Sequence, residues 1–189
     1  MGQYYKPVNT ESKEWVYSHD VKSRWKRDDG KVFMMGEGLK LMEHSWILNK
    51  LMRTIEGLLI PGGAWYKKPI VWAGDYADNE PESDTNLYGM CQDNKKILPK
   101  PLSVAQSKSY QYIVNHTKKE FVDKNKVPSK DGWTIHPLSL LTCDGNGRGG
   151  GDFHGTSRMK TVGRWCRDVI SLEKTLPEGY KEIPFKLTE

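Results

Sequence analysis

Short runs of aromatic and β-branched residues, separated by turn-forming residues, constrain the fold of this chain more than any other feature. They predict one hairpin with strands at 4–8 and 13–18, and a second with strands at 110–114 and 120–122. Four more strands are predicted, at 69–72, 133–135, 138–142 and 164–172. The polar stretches between them predict a loop at 19–36, a long connection at 79–108 and a tail at 176–189.

Helical spacing is confined to one segment. An apolar stripe predicts a helix over 45–59, with Ser45 as its N-cap and Pro61-Gly62-Gly63 after its end. The chain has four alanines against 18 Gly and 10 Pro, which excludes a helical bundle. The predicted fold class is therefore α+β: a strand-rich single domain over residues 1–189, with a mainly antiparallel sheet and one principal helix.

Two stretches of the sequence resemble each other and predict an internal duplication. Val8–Val16 and Val114–Val122 both open with Val-Asn and close with Lys-Glu, an aromatic residue and Val. Residues 71–75 are loosely matched by 164–168, which would make Trp72 and Trp165 equivalent. The halves would be two hairpin-containing pseudo-repeats, about 1–80 and 108–175. The alternative is that short hairpins converge on the same turn chemistry. The positions of Trp72 and Trp165 in the fold distinguish duplication from convergence.

Composition limits the classes of function. A net charge of +5 permits binding to nucleic acid or another polyanion without requiring it. The densest basic group is 22–27, where Trp25 suits stacking on bases, although a solvated surface is the alternative. Three cysteines without a Cys-x-x-Cys pair suggest neither a zinc site nor a disulfide framework. The absence of a signal peptide and of a long apolar run predicts a cytoplasmic protein with no membrane partner.

The strongest local signal is the glycine-rich segment 144–152. Five glycines in the seven positions 145–151 cost chain entropy, and they let backbone amides approach an anion closely. Arg148 adds a charged planar fork suited to phosphate or carboxylate. The segment lacks Gly-Lys-Ser/Thr and opens no obvious helix, so it is neither a P-loop nor a dinucleotide fingerprint. An ordinary surface loop is the alternative. The predicted ligand-binding residues are Asn146, Gly147, Arg148, Gly149, Gly150, Asp152 and His154.

A secondary set of candidate site residues consists of Trp72, Asp75, Tyr76 and His44. Asp75 and Asp78 follow a predicted strand as paired carboxylates or, as we favour, as turn caps. The five histidines are isolated, so no metal site and no cofactor is predicted. His154-Gly155-Thr156 matches one element of two-histidine phosphodiesterases, but neither 116–118 nor 136–138 supplies the second copy that this chemistry needs.

Four motifs together resemble a family of small hypothetical proteins of bacteria and their phages. They are Gly2–Pro7, Trp72–Tyr76, Asn115–Lys119 and Gly145–Asp152, and the resemblance covers most of the chain. It implies no activity and no functional residues. It implies a phage or mobile-element accessory protein that acts against host defence, located in the host cytoplasm.

These observations favour a binding protein for an anionic small molecule, with a nucleotide as the first choice. Three alternatives stay open: a protein-interaction module that inhibits a host enzyme, a phosphodiesterase-type hydrolase, and a nucleic-acid-binding protein. Whether the chain is an enzyme is not decided by its sequence.

Overall fold

In the computed structural model, the strands form one large sheet and a separate two-stranded ribbon. The structure describes residues 4–26, 29–36, 45–129, 134–144 and 161–185, with backbone alone for 23–26 and 33–36. The strands are β1 Tyr5–Asn9, β2 Glu14–Val16, β3 Lys22–Lys26, β4 Val32–Gly36, β5 Lys68–Gly74, β6 Lys95–Ile97, β7 Tyr112–Asn115, β8 Glu120–Asp123, β9 Cys143–Asp144, β10 Val169–Glu173 and β11 Lys181–Glu182. The helices are α1 Lys50–Leu59, α2 Leu87–Met90, α3 Val104–Ser109 and α4 Pro137–Leu141, and 3-10 turns lie at Ser18–Asp20, Cys91–Asp93 and Lys124–Lys126.

Nine strands belong to the large sheet, in the order β11-β8-β7-β10-β5-β1-β2-β6, with β9 beside β5. Pairing is antiparallel from β8 through to β2. It is parallel at β8–β11, β2–β6 and β5–β9. Strands β3 and β4 pair with each other in an antiparallel ribbon outside this sheet. The protein thus has the strand-rich, mixed α and β structure that the sequence predicts.

Apolar side chains pack on both faces of the sheet. Alternation along β5 places Ile70 and Trp72 in the main core, and Val71 and Ala73 in a smaller cluster on the opposite face. The stripe of α1 covers the main core, and α2 lies over the smaller cluster. Across the residues that the structure describes, no helix is long and apolar enough to span a membrane.

Two elements differ from their predicted form. Helix α1 begins at Lys50 rather than at residue 45, because the side chain of Asn49 caps it by accepting from the Leu51 amide at 2.7 Å. Residues 138–142, predicted as a strand, belong mostly to the short helix α4. Pro137 occupies its first turn, and His136 Nδ1 accepts from the Leu138 amide at 3.2 Å. A short buried apolar run has no periodicity that distinguishes strand from helix.

Several predicted irregular segments contain regular structure. The expected loop at 19–36 contains β3 and β4, and the expected connection at 79–108 contains α2, β6 and α3. The predicted last strand begins only at Val169, after a series of turns, and the tail contains β11.

The two predicted hairpins have the same register. Val8 pairs with Trp15 in the first, and Val114 pairs with Phe121 in the second, each residue 106 positions after its counterpart. A 3-10 turn follows each hairpin, at Ser18–Asp20 and Lys124–Lys126, and a short parallel strand then joins each outer edge, as β6 and β11. Lys13 and Lys119 both have the positive φ that side chains rarely adopt, 52° and 53°.

Trp72 and Trp165 do not hold equivalent positions, so the predicted match of 71–75 with 164–168 is wrong. Trp72 lies within β5, whereas Trp165 lies in the turn before β10 and donates its indole Nε1 hydrogen to Glu120 at 2.8 Å. The duplication therefore fails the tryptophan test in the form in which the sequence predicted it. Trp65, in the turn before β5, makes a contact like that of Trp165, because its Nε1 donates to Glu14 at 3.0 Å.

Candidate functional site

The candidate site lies at the sheet edge where β5 and β9 end. These two strands run parallel, with Trp72 opposite Cys143 and Ala73 opposite Asp144. Strand β1 begins at the same edge, with Tyr5 opposite Gly74. The carboxyl ends of parallel strands are where ligands bind in open sheets, because the loops that follow converge there. Asp144, the last described residue before the glycines, lies two strand spacings, about 10 Å, from β1.

The turn after β5 is fixed by backbone contacts. The Asp75 carboxylate accepts from the Tyr4 amide at 3.0 Å, and the Asp75 amide donates to the Tyr4 carbonyl at 3.0 Å. The Asn86 side chain donates to the carbonyls of Asp75 and Ala77. Burial raises the pKa of Asp75, and the backbone donors oppose that rise. Asp75 therefore caps a backbone amide, as we favour from sequence, but the amide is that of Tyr4 beside β1 rather than one within the turn.

A cavity of about 290 Å³ opens beside this turn. We call it the tyrosine pocket, and its lining residues are Tyr4, Tyr5, Tyr17, Ser18, His19 and Tyr88. The rings of Tyr17 and His19 stack with centroids 5.0 Å apart, and Trp15 meets Tyr17 edge-on at 5.9 Å. The lining has no carboxylate, and its volume suits one heteroaromatic ring with the remainder of a ligand outside.

A buried ammonium group lies behind the pocket. Lys6 is almost fully buried, and its Nζ donates to the Tyr88 carbonyl at 3.0 Å while lying 3.8 Å from the centroid of the Tyr88 ring. Burial lowers the pKa of Lys6, since the charged form is poorly solvated there. Burial, and then the charge of Asp75, raise the pKa of Tyr88, so its hydroxyl stays protonated at neutral pH. The site thus combines aromatic surface with a buried cation.

Arg167 fixes the strand end from which the glycine-rich segment departs. Its guanidinium donates to Glu80 at 3.0 Å and to Asp144 at 3.2 Å. It therefore joins the end of β9 to the chain that follows β5, and it neutralises two carboxylates near the site.

The predicted site residues fall into three groups. Asn146, Gly147, Arg148, Gly149, Gly150, Asp152, His154 and His44 lie outside the described residues. Trp72 is fully buried in the main core and is not among the residues that line the described cavities. Asp75 and Tyr76 follow β5 at the site edge, and Tyr76 is 47% exposed. Among the described residues, no group of three His, Cys, Asp or Glu side chains is placed to hold a metal ion.

Sequence reasoning missed the pocket itself. Its residues come from the start of β1, the end of the first hairpin and α2, which only the folded sheet brings together. One signal was available: Trp15, Tyr17 and His19 alternate along the chain, as ring-bearing residues on one face of a strand do.

A second polar cluster surrounds His116, which sequence reasoning treated as isolated. Its Nδ1 lies 2.9 Å from the Tyr180 hydroxyl, and its Nε2 lies 2.7 Å from Ser171 Oγ. Ser171 donates its hydroxyl hydrogen to Glu173 at 2.7 Å, so His116 must donate to Ser171. A serine nucleophile needs the opposite direction, with histidine accepting the serine hydrogen, so this cluster is not the site of a serine hydrolase.

The chain has no match among models of protein families, curated proteins or solved structures.

Proposed function

We propose that this chain is a non-enzymatic binding protein for an anionic small molecule, and that its ligand is a nucleotide. The observation that carries the proposal is where the glycine-rich segment leaves the sheet. It departs from Asp144, at the carboxyl end of the parallel pair β5–β9 and at the same edge as the tyrosine pocket. The base would stack in the pocket, and the phosphate would meet the amides of the segment and Arg148.

We propose as well that the chain consists of two pseudo-repeats, although with different boundaries and a different tryptophan match from those that the sequence suggested. The shared hairpin register, the paired positive φ angles and the two Trp–Glu hydrogen bonds support this. The contact between the halves supports it too: β5 and β10 pair through Pro69↔Val169 and Lys68↔Ile170, a register that a two-fold axis would leave unchanged. The correspondence extends to β6 and β11, beyond residues 80 and 175.

The connection that contains the glycine-rich segment is much longer than its counterpart in the first half. In the first half, the Trp65 amide donates to the Leu58 carbonyl at 2.9 Å, and in the second half the Trp165 amide donates to the Leu141 carbonyl at 2.7 Å. Six residues, 59–64, make the first connection, whereas 23 residues, 142–164, make the second. The sheet needs only the shorter connection. A long, entropically costly addition at a strand end is therefore accounted for by ligand binding rather than by folding.

Calorimetric titration against nucleoside monophosphates, the matching nucleosides and inorganic phosphate tests the proposal. We expect the monophosphates to bind more tightly than either part alone. Arg148→Ala should weaken monophosphate binding by about 10-fold or more, since a charge-assisted hydrogen bond contributes about 1.5–3 kcal/mol. Tyr17→Leu, which keeps apolar volume but removes the ring, should weaken binding of nucleosides as well.

Lys100→Ala is the matched control, because it removes an exposed cation away from the site edge. It should leave every affinity unchanged. The proposal fails if none of the monophosphates binds, or if Arg148→Ala and Tyr17→Leu bind as tightly as Lys100→Ala does.

A further inference from the structure

The β3–β4 ribbon is rich in basic residues. Residues 22–36 contain five basic residues and two acidic ones, for a net charge of +3, whereas the whole chain of 189 residues has +5. The five are Lys22, Arg24, Lys26, Arg27 and Lys31. Basic residues are therefore about twice as frequent in the ribbon, 5 of 15, as in the chain as a whole, 29 of 189, although residues 95–119 also hold six lysines and no acidic residue.

In the second half, the corresponding connection is much shorter. After the 3-10 turn Lys124–Lys126, ten residues lead to α4, whereas 29 residues separate Ser18–Asp20 from α1 in the first half. The strands of the ribbon pair with each other and not with the nine-stranded sheet. The comparison of halves thus marks the ribbon, like the glycine-rich segment, as an addition to the shared sheet.

The register of the ribbon groups its basic positions. Lys22, Arg24 and Lys26 alternate along β3, so the three positions share one face over about 13 Å. Trp25 and Phe33 pair across the two strands at positions on the other face. A two-stranded β-ribbon fits the major groove of B-form DNA, whereas the deep, narrow major groove of double-stranded RNA does not admit it.

We propose that the β3–β4 ribbon is a binding surface for duplex DNA, and that the basic positions 22, 24 and 26 on one face of β3 supply its contacts to backbone phosphates. Each phosphate contact releases counterions, so affinity falls with added salt in proportion to the number of contacts. Three contacts predict that the binding constant falls ~40-fold between 50 and 200 mM salt, from a slope of about −0.9 per phosphate neutralised. The proposal is independent of the nucleotide site, because it uses other residues and another ligand.

Fluorescence anisotropy with a labelled 20-base-pair DNA duplex of mixed sequence, at several salt concentrations, is the test. The variant is Lys22→Gln/Arg24→Gln/Lys26→Gln. Its control is Lys100→Gln/Lys108→Gln/Lys181→Gln, which removes three charges at exposed positions outside the ribbon. We expect the ribbon variant to lose at least 10-fold in affinity at low salt. The slope of its log binding constant against log salt concentration should be smaller in magnitude by about 2.7, while the control keeps the slope of the parent protein.

Equal losses in the two variants would overturn the proposal, because net charge alone would then account for binding. Equal affinity for heparin and for the duplex would also overturn it, because the ribbon would then recognise any polyanion. Thermal unfolding is measured for both variants. An unfolding temperature equal to that of the parent protein shows that the sheet is intact. A ribbon variant that unfolds early is replaced by Arg24→Gln alone, for which the slope should change by about 0.9.

Discussion

Asn115 donates its side-chain amide hydrogen to the Asp168 carboxylate at 2.7 Å, deep in the second half of the sheet. The corresponding residue of the first half, Asn9, is equally buried, but its Nδ2 has no hydrogen-bond partner among the described residues. Lys68 stands where the second half has Asp168, and it pairs with Glu11 instead. The first half therefore carries a buried donor without the acceptor that Asp168 provides in the second half, and such a donor costs about 1–3 kcal/mol.

Restoring the acceptor should stabilise the protein. The variant Glu11→Thr/Ser12→Lys/Lys68→Asp gives the first half the side chains that the second has at 117, 118 and 168. We expect its free energy of unfolding to rise by about 1 kcal/mol, since the gain at Asn9 exceeds the loss of one exposed ion pair. Urea denaturation followed by tryptophan fluorescence measures the change. Lys68→Ala is the control, and a triple variant no more stable than this control would count against the correspondence of the halves.

A second prediction concerns the buried ion pair of Glu56 with Lys124. Both side chains lie in the core, and the Glu56 carboxylate also accepts from His136 Nε2 at 3.1 Å. Glu56→Gln should lower the free energy of unfolding by about 3–5 kcal/mol, because it leaves the Lys124 charge buried without its counterion. Urea denaturation measures the loss.

The double variant Glu56→Gln/Lys124→Met should recover most of this stability, because no uncompensated charge then remains in the core. If the double variant were as unstable as Glu56→Gln alone, packing around residue 56 rather than charge would be responsible.

The parts of the fold that sequence predicted are those governed by local chemistry. The strands of both hairpins and the helix α1 follow from turn residues, alternation and one apolar stripe, all of which lie within a few residues of each other. The ribbon was missed because β3 carries charges at alternate positions and because the only β-branched residue of its two strands is Val32. The halves were aligned through the wrong tryptophan, because the Trp–Glu hydrogen bonds join residues about 50 positions apart.

In the candidate site, too, features set by nearby residues were predicted and features set by strand pairing were missed. Asp75 was predicted as a turn cap because a turn is local, and its carboxylate does accept from a backbone amide, but that amide is the one of Tyr4, 71 positions away. The tyrosine pocket was not predicted, because Tyr4, Tyr17 and Tyr88 meet only after β1 has paired with both β2 and β5. Strand order in a sheet is a long-range property that no single segment encodes.

Stability should depend on pH through His136. This ring is fully buried; burial lowers its pKa, the Glu56 carboxylate opposes the shift, and the Lys124 charge adds to it. The folded state thus binds this proton only at a pH below the ordinary histidine value, whereas the unfolded chain binds it at about 6.5. The contribution is fully present above pH 6.5 and is lost as the pH falls through the lower folded value.

Chemical denaturation from pH 8 to pH 5 should therefore show a free energy of unfolding that is level at first and then falls by up to ~1.4 kcal/mol per pH unit for each such proton. His136→Gln should flatten this slope, whereas His19→Gln, an exchange on an exposed side chain, should leave it unchanged. An NMR titration in which the His136 ring of the folded parent protonates near pH 6.5 would contradict the assignment.

Lys6→Met should separate ligand binding from stability. Methionine keeps the length and apolar body of the side chain and removes a charge whose burial is unfavourable. We expect the free energy of unfolding to change by less than about 1 kcal/mol, and nucleotide affinity to fall roughly 5- to 10-fold with the loss of the cation. Calorimetry and thermal unfolding measure the two quantities. Lys6→Arg retains the charge and is the control, and unchanged affinity in Lys6→Met would show that the cation behind the tyrosine pocket does not contribute to binding.

Removing the glycine-rich segment should leave the fold intact and abolish nucleotide binding. The variant replaces residues 145–160 with a six-residue Gly-Ser linker between Asp144 and Thr161, which preserves the pairing of β9 with β5 and the hydrogen bond from the Gly163 amide to Leu140. Loop-closure entropy predicts a gain in stability of ~1 kcal/mol from the shorter loop.

A second variant keeps all sixteen residues but changes each glycine at 145, 147 and 149–151 to serine, which leaves loop length unchanged and restricts close approach of the backbone to an anion. Both should unfold cooperatively and lose monophosphate affinity in calorimetry, because each removes the amides that the proposed phosphate contacts require. Retention of affinity in both variants would mean that the segment does not hold the ligand, and a linker variant unable to fold would show that the sheet needs more than the connection that suffices between Leu58 and Trp65.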